Sequence, residues 1–204
     1  MLRTSERSAL QQLARDELPG LYALARRLGG PGGADAEDLV QETLLRACRS
    51  FDSLRDLQAG GKWLRVILTN VWRDRLRKDD RTPDELPVEE ETAFSLYRRL
   101  EEEDPLPYSD TLHIDVLGAF SDHDVHVVLL RLPPLYRAPL VLRYVEGFAT
   151  AEIAELLELP VGTVLSQLHR GRQRFEREMW HYAEESGVLD QAAAAARSDR
   201  GGER

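Results

Sequence analysis

FATAEIAELLELPVGTVLSQLHRGRQR, residues Phe148 to Arg174, carries two apolar stripes separated by a short break. Ile153, Leu156 and Leu157 are three and four apart, so they share one face of a helix that Thr150 is placed to cap. Glu158-Leu159-Pro160 interrupts that helix, because proline brings no amide hydrogen and pushes the residue before it out of the helical region. Val164, Leu165 and Leu168 then restart the pattern. Two short helices about a three-residue break predict a helix-turn-helix. In such a unit the second helix enters the major groove, with its N-terminal residues on base edges and later basic residues on phosphates. Thr163, Ser166, Gln167 and Arg170 are the expected readers, with His169, Arg172 and Arg174 also on the DNA side. Gln167 has the reach for a bidentate pair with adenine. The alternative is an ordinary helical hairpin whose charged face is solvated.

The same three-and-four spacing recurs through the rest of the chain, and no stretch alternates with period two long enough for a strand, so the expected fold class is all-α. Charge divides it. From Asp79 to Leu112 twelve acids face three bases, a balance of −9 that equals the formal net charge of the whole 204-residue chain. The segment also holds Pro83, Pro87, Pro105 and Pro107 and lacks a sustained apolar period, which marks a flexible acidic linker. Lys62 to Lys78, just before it, carries six bases against Asp74, and Val161 to Arg177 carries four against Glu176. The expected organisation is a helical domain over 5–80, an acidic linker over 81–113, a second helical domain over 114–186 that holds the helix-turn-helix, and a disordered tail over 187–204. An acidic average therefore hides two basic patches suited to nucleic acid.

Other classes fall away. Apolar runs do not reach the ~18 to 20 residues of a membrane span. Met1 to Arg15 has neither the apolar centre nor the small-residue cleavage site of a secretory signal, so a cytoplasmic protein is expected. The single cysteine, Cys48, excludes an internal disulfide and reads as core packing. His123 and His126, with Asp122 and Asp124, have a spacing that raises a metal site, but a polar helix entrance at Ser121 to His123 explains them more simply. No phosphate-cradling glycine loop with a lysine and no nucleophile elbow occurs, so neither an enzyme nor a cofactor is expected.

Two N-terminal stretches complete the picture. Asp35 to Ala47 opens with an aspartate at the cap position and an acid three residues on. Leu39, Val40, Leu44, Ala47 and Cys48 form an inward stripe, leaving Glu37, Asp38, Gln41, Glu42 and Arg49 outside. After a glycine-containing loop, Trp63 to Lys78 turns Leu64, Ile67, Leu68 and Val71 inward and lines Arg65, Thr69, Arg73 and Arg77 at steps of four on the other side. Such a row beside Trp63 and Trp72 suits a strand with unstacked bases, although Trp63 reads better as core.

Leu132-Pro133-Pro134, Arg143 to Phe148, Glu152-Ile153-Ala154, Pro160 to Val164 and Leu168 to Arg172, in that order and spacing, resemble the extracytoplasmic-function sigma factors of bacterial RNA polymerase over nearly the whole chain. The resemblance implies that the helix-turn-helix reads the promoter's minus-thirty-five element. It implies that Lys62, Arg65, Thr69, Asn70, Arg73, Arg77 and Lys78 recognise and melt the minus-ten element. Asp38, Leu39, Gln41, Glu42 and Leu45 are then the docking face for the clamp helices of the polymerase's largest subunit, and the flap of the second-largest subunit is a further partner. Many members carry a base where Leu165 and Gln167 stand. Ile67 to Asn70 and Val161 to Val164 look like the actinobacterial redox-responsive branch, whose partner is a zinc-containing anti-sigma factor. The linker is implied to run through the polymerase cleft as a mimic of nucleic acid. The reading from a different class is a self-sufficient helix-turn-helix regulator whose N-terminal domain senses a signal or dimerises.

Overall fold

The structure is a computed structural model that describes residues 4–29, 33–78 and 120–187. The acidic linker and the tail beyond Gly187 lie outside the described residues, which contain helices and turns and no strand. Three helices form the N-terminal module: α1 (Thr4–Gly29), α2 (Gly33–Ser50) and α3 (Gly60–Lys78), with two short 3-10 turns between α2 and α3. Leu21, Leu24 and Leu28 of α1, Leu39 of α2 and Leu64, Leu68 and Val71 of α3 are fully buried against one another. Each such side chain stabilises the bundle by roughly 1.5 to 3 kcal/mol relative to exposure.

The C-terminal module has α4 (Asp122–Arg131), α5 (Pro134–Leu140), a π-helical turn at Val141–Val145, α6 (Thr150–Leu157) and α7 (Val161–Ser186). Its core gathers Val128, Tyr136, Leu140, Leu142, Phe148, Ile153, Val164 and Leu168. Gly171 lets α7 pass close over α5: a Cβ there would lie 3.3 Å from the Tyr136 carbonyl oxygen and 3.2 Å from the Leu140 side chain. Between α6 and α7, Glu158 takes the left-handed conformation with φ 55°, and Pro160 starts the second helix. The break thus falls at 158–160, where proline and the spacing put it.

Several local details differ from the sequence reading. Helix α2 begins at Gly33, so Asp35 lies inside it. Thr150 is the first helical residue of α6; the cap position belongs to Ala149, whose N–H donates to Glu152 Oε2 at 2.8 Å. Cys48 is exposed, as is Leu165: each follows a buried residue, Ala47 and Val164, and lies about 100° further round its helix, past the edge of the stripe. At the start of α4, Ser121 caps Asp124 N–H at 3.3 Å, and its own N–H donates back to Asp124 Oδ2 at 2.7 Å. The second oxygen of Asp124 accepts from Tyr182, which holds that carboxyl below its usual range. The polar cluster is therefore a helix entrance.

The two modules touch. Leu129, Ala138 and Val141 pack into the N-terminal core, and Val66 of α3 packs against the C-terminal one. Arg137, 5% exposed, reaches across: its Nη2 donates to the Leu28 carbonyl at 2.9 Å and its Nη1 to the Leu132 and Leu130 carbonyls at 3.2 and 3.3 Å. Carbonyls at helix ends lack partners and carry partial negative charge, so they can hold a guanidinium without an acid. Burial pulls the Arg137 pKa below the ordinary arginine value. The Leu28 oxygen also accepts from Trp72 Nε1 at 3.0 Å.

Candidate nucleic-acid interface

Helix α3 presents its cations on one side because Leu64, Leu68, Val71 and Trp72 turn the other side into the core. That cationic side faces the C-terminal module. Lys62 pairs with Glu152 and lies 5.2 Å from the Phe148 ring centre. Arg65 bridges Glu17 and Glu146, at 2.8 Å each. Arg73 donates to the Leu156 carbonyl at 2.6 Å and pairs with Glu158 at 2.9 Å, while Arg77 reaches the other oxygen of Glu158 at 2.7 Å.

The electrostatics follow. Burial lowers the Arg65 pKa more than any other single influence, but hydrogen bonds to Glu17 and Glu146 outweigh it, and the net direction is upward. The bond from Lys62, then that from the Ala149 amide, holds Glu152 below the usual carboxylate range; for Glu158 the bond from Arg77 leads, with the charge of Arg73 behind it. Thr69 does not belong to the exposed row: it is buried and donates to the Arg65 carbonyl at 2.9 Å. Asn70 is half-buried, and Lys78 is exposed at the end of the helix.

On α7, Ser166, His169, Arg170 and Arg172 are exposed and Thr163 is half-exposed. Arg174 instead lies 5.0 Å from the Tyr136 ring centre. Gln167 does not point outward. It lines a cleft of about 230 Å³ between the modules, together with Trp72, Arg73, Leu76, Pro134 and Leu157, and its Oε1 is buried without a partner.

On α2, Asp38 and Gln41 are exposed and Leu45 is 53% exposed, whereas Leu39 is buried in the core and cannot belong to a docking face. Glu42 pairs with Arg46 at 3.0 Å, and Arg46 also holds Asp74 of α3 at 2.8 Å. Beside Gln41 lies an apolar groove formed by Leu18, Pro19, Tyr22, Val40 and Leu44. A second apolar groove, with Tyr144, Val145, Phe175 and Met179 among its walls, runs between the π-helical turn and α7. Sequence reasoning missed both grooves, and it missed the acids opposite α3. Their signal was present: between Arg143 and Arg170 the chain has four glutamates and no lysine or arginine. Among the described residues no group of three or more His, Cys, Asp or Glu is placed to hold a metal ion, and no helix is long and apolar enough to cross a membrane.

The chain is similar to known proteins over both modules. Residues 13–82 match the family described as Sigma-70 region 2, and residues 122–175 match Sigma-70, region 4. The chain is 37% identical over 175 residues to the ECF RNA polymerase sigma factor SigE of Mycolicibacterium smegmatis, a match covering 86% of this chain and 63% of that protein. It is 30% identical over 162 residues to the ECF RNA polymerase sigma factor SigW of Bacillus subtilis, covering 78% and 82%. Among solved structures it is similar to the sigma factor RpoE in complex with the anti-sigma factor NepR from Bartonella quintana, with TM-score 0.54, 26% identity and coverage of 83% of this chain and 95% of that one.

Proposed function

Because the chain belongs to the extracytoplasmic-function sigma factors, we propose that it acts as a dissociable subunit of RNA polymerase that recognises promoters and starts transcription in the cytoplasm. The observation that carries this is the presence, in one chain, of a basic helix within the region 2 match and a helix-turn-helix within the region 4 match. A self-sufficient regulator has no use for the first of these.

In this reading α7 holds duplex DNA at the minus-thirty-five element through Thr163, Ser166, Gln167, His169, Arg170, Arg172 and Arg174. Helix α3 takes the minus-ten strand through Lys62, Arg65, Asn70, Arg73, Arg77 and Lys78, where backbone phosphates need cations and unstacked bases need pockets. Asp38, Gln41, Glu42 and Leu45 are the surface offered to the polymerase clamp, and the acidic linker is the segment that would occupy the cleft of the polymerase. An anti-sigma partner fits the likeness to a sigma and anti-sigma complex. Run-off transcription from a genomic promoter pool, with core polymerase plus this protein, tests the proposal: specific transcripts are expected only when both are present. Their absence from every promoter would falsify it.

A further inference from the structure

We infer that the arrangement described here is a self-masked state, in which three glutamates of the C-terminal module occupy the cations of α3 and must be released before α3 can take up DNA. The inference rests on α3 being the DNA face proposed above and adds to it a lock and the residues that form it.

Three observations converge. Lys62, Arg65, Arg73 and Arg77, spread over 16 residues of α3, are each paired with a C-terminal glutamate: Glu152, Glu146, Glu158 and Glu158 again. The acceptors come from three separate places, the turn after the π-helical segment, the first turn of α6 and the break of the helix-turn-helix, so the complementarity belongs to a face and not to one loop. A cation already paired with a carboxylate is not available to neutralise a phosphate, and it is that neutralisation which releases the counterions condensed on nucleic acid and drives binding. The same closure turns Gln167 away from any groove and into the cleft between the modules.

The joint is also built to part. Gln167 Oε1 and Arg73 Nε are both buried without a partner at the cleft, a cost that opening to water removes. Glu158 occupies a left-handed position that favours glycine, yet its two oxygens hold Arg73 and Arg77. The pairs of Lys62 with Glu152 and of Arg77 with Glu158 are half-exposed and so individually weak and salt-sensitive, while those of Arg65 with Glu146 and Arg73 with Glu158 are set deeper. A tight-binding surface such as core polymerase can therefore separate the modules, which couples exposure of α3 to assembly.

The test uses the full-length chain with Glu146→Gln, Glu152→Gln and Glu158→Gln together. The control is Glu37→Gln, Glu155→Gln and Glu176→Gln, which makes the same change in net charge away from α3. Binding of a fluorescent mixed-sequence single-stranded 15-mer by the protein alone is measured across a salt series, with small-angle scattering for size. The clasp variant should bind at least tenfold more tightly than the control, with a larger radius of gyration and a steeper salt dependence. Glu158→Gly guards against misfolding, since its backbone geometry favours glycine; it should give an intermediate gain of about threefold. Clasp and control variants with equal affinity and equal size would overturn the masking. Run-off transcription with each variant keeps the two readings apart. If wild-type holoenzyme makes no specific transcript, the promoter-recognition reading falls and takes the lock with it. If it transcribes while the free variants gain nothing, only the lock falls.

Discussion

Helices α3 and α7 are both long, basic and amphipathic, yet their cations live in different surroundings. On α3 four of them are tied to glutamates of the other module, and on α7 Arg170 and Arg172 stand in solvent. The difference comes from where each helix ends up in the fold, since the local sequences are alike in charge and period. A count of positive charge measures how strongly a surface can bind phosphate once it is free. Whether it is free depends on a partner 80 to 90 residues away.

The largest way to break the contrast is to cut the strut that keeps the modules facing one another. Arg137→Ala takes the guanidinium away from the Leu28, Leu130 and Leu132 carbonyls, of which Leu28 keeps the Trp72 indole, and opens a cavity where a buried side chain stood. Denaturant unfolding should show a loss of about 3 kcal/mol. Next comes a comparison of the helices themselves. Arg170→Ala should weaken binding of holoenzyme to the upstream duplex by about 1 to 3 kcal/mol and flatten its salt dependence. Arg73→Ala should leave upstream duplex binding unchanged and reduce permanganate reactivity of the melted region. Equal effects of the two on duplex binding would erase the distinction between the helices.

Acidity offers a gentler test. His126 of α4 lies at the joint, and its pKa is lowered, first by burial, then by Arg26 and Arg27 of α1, His123 of its own helix and Arg137 of α5. Its neutral form is therefore favoured in the folded chain. The stability it contributes is fully present above about pH 6.5 and is lost as the pH falls through its lowered value. The melting temperature should drop between pH 7.5 and 5.5, and His126→Asn should make that slope shallower. The smallest effect on stability is expected on α2, where Asp38→Ala with Gln41→Ala should cost no more than about 0.5 kcal/mol by thermal melting. That variant should nevertheless fail to pull down core polymerase, and its retention would return this face to plain solvated helix.

Much of the architecture is legible in the residues, because it depends on local rules. Apolar spacing locates the inward faces of α3, α6 and α7, and Pro160 locates the break. The site is less legible. Steps of four on a helix of 3.6 residues per turn drift by roughly 40° each, so the row from Arg65 to Arg77 winds across the helix instead of running straight. Thr69 lies between Arg65 and Arg73, whose long side chains both reach across the joint, and its short one stays buried beneath them and satisfies its hydroxyl on the carbonyl one turn back. Leu39, assigned to the docking face by resemblance, is an ordinary core leucine of its stripe. The run of glutamates from Glu146 to Glu158 is visible in the chain, but that it faces α3, and that Gln167 turns inward, depend on how the modules meet, which no local pattern records.

The shared hydrogen bonds at the Leu28 oxygen have a practical corollary in optics. Trp72 is 6% exposed, donates its indole N–H to that oxygen and forms part of the wall of the inter-module cleft. Its emission therefore senses the polarity of the joint. Parting of the modules takes Arg137 away from the shared acceptor and admits water beside the indole, which shifts the fluorescence to the red. Trp63 stacks edge-on against Phe51 within the first module, and Trp180 lies in the last helix, so replacing those two with phenylalanine isolates a single native fluorophore at the hinge line. The chain thus contains its own gauge of opening, one that follows the event in real time without an attached dye.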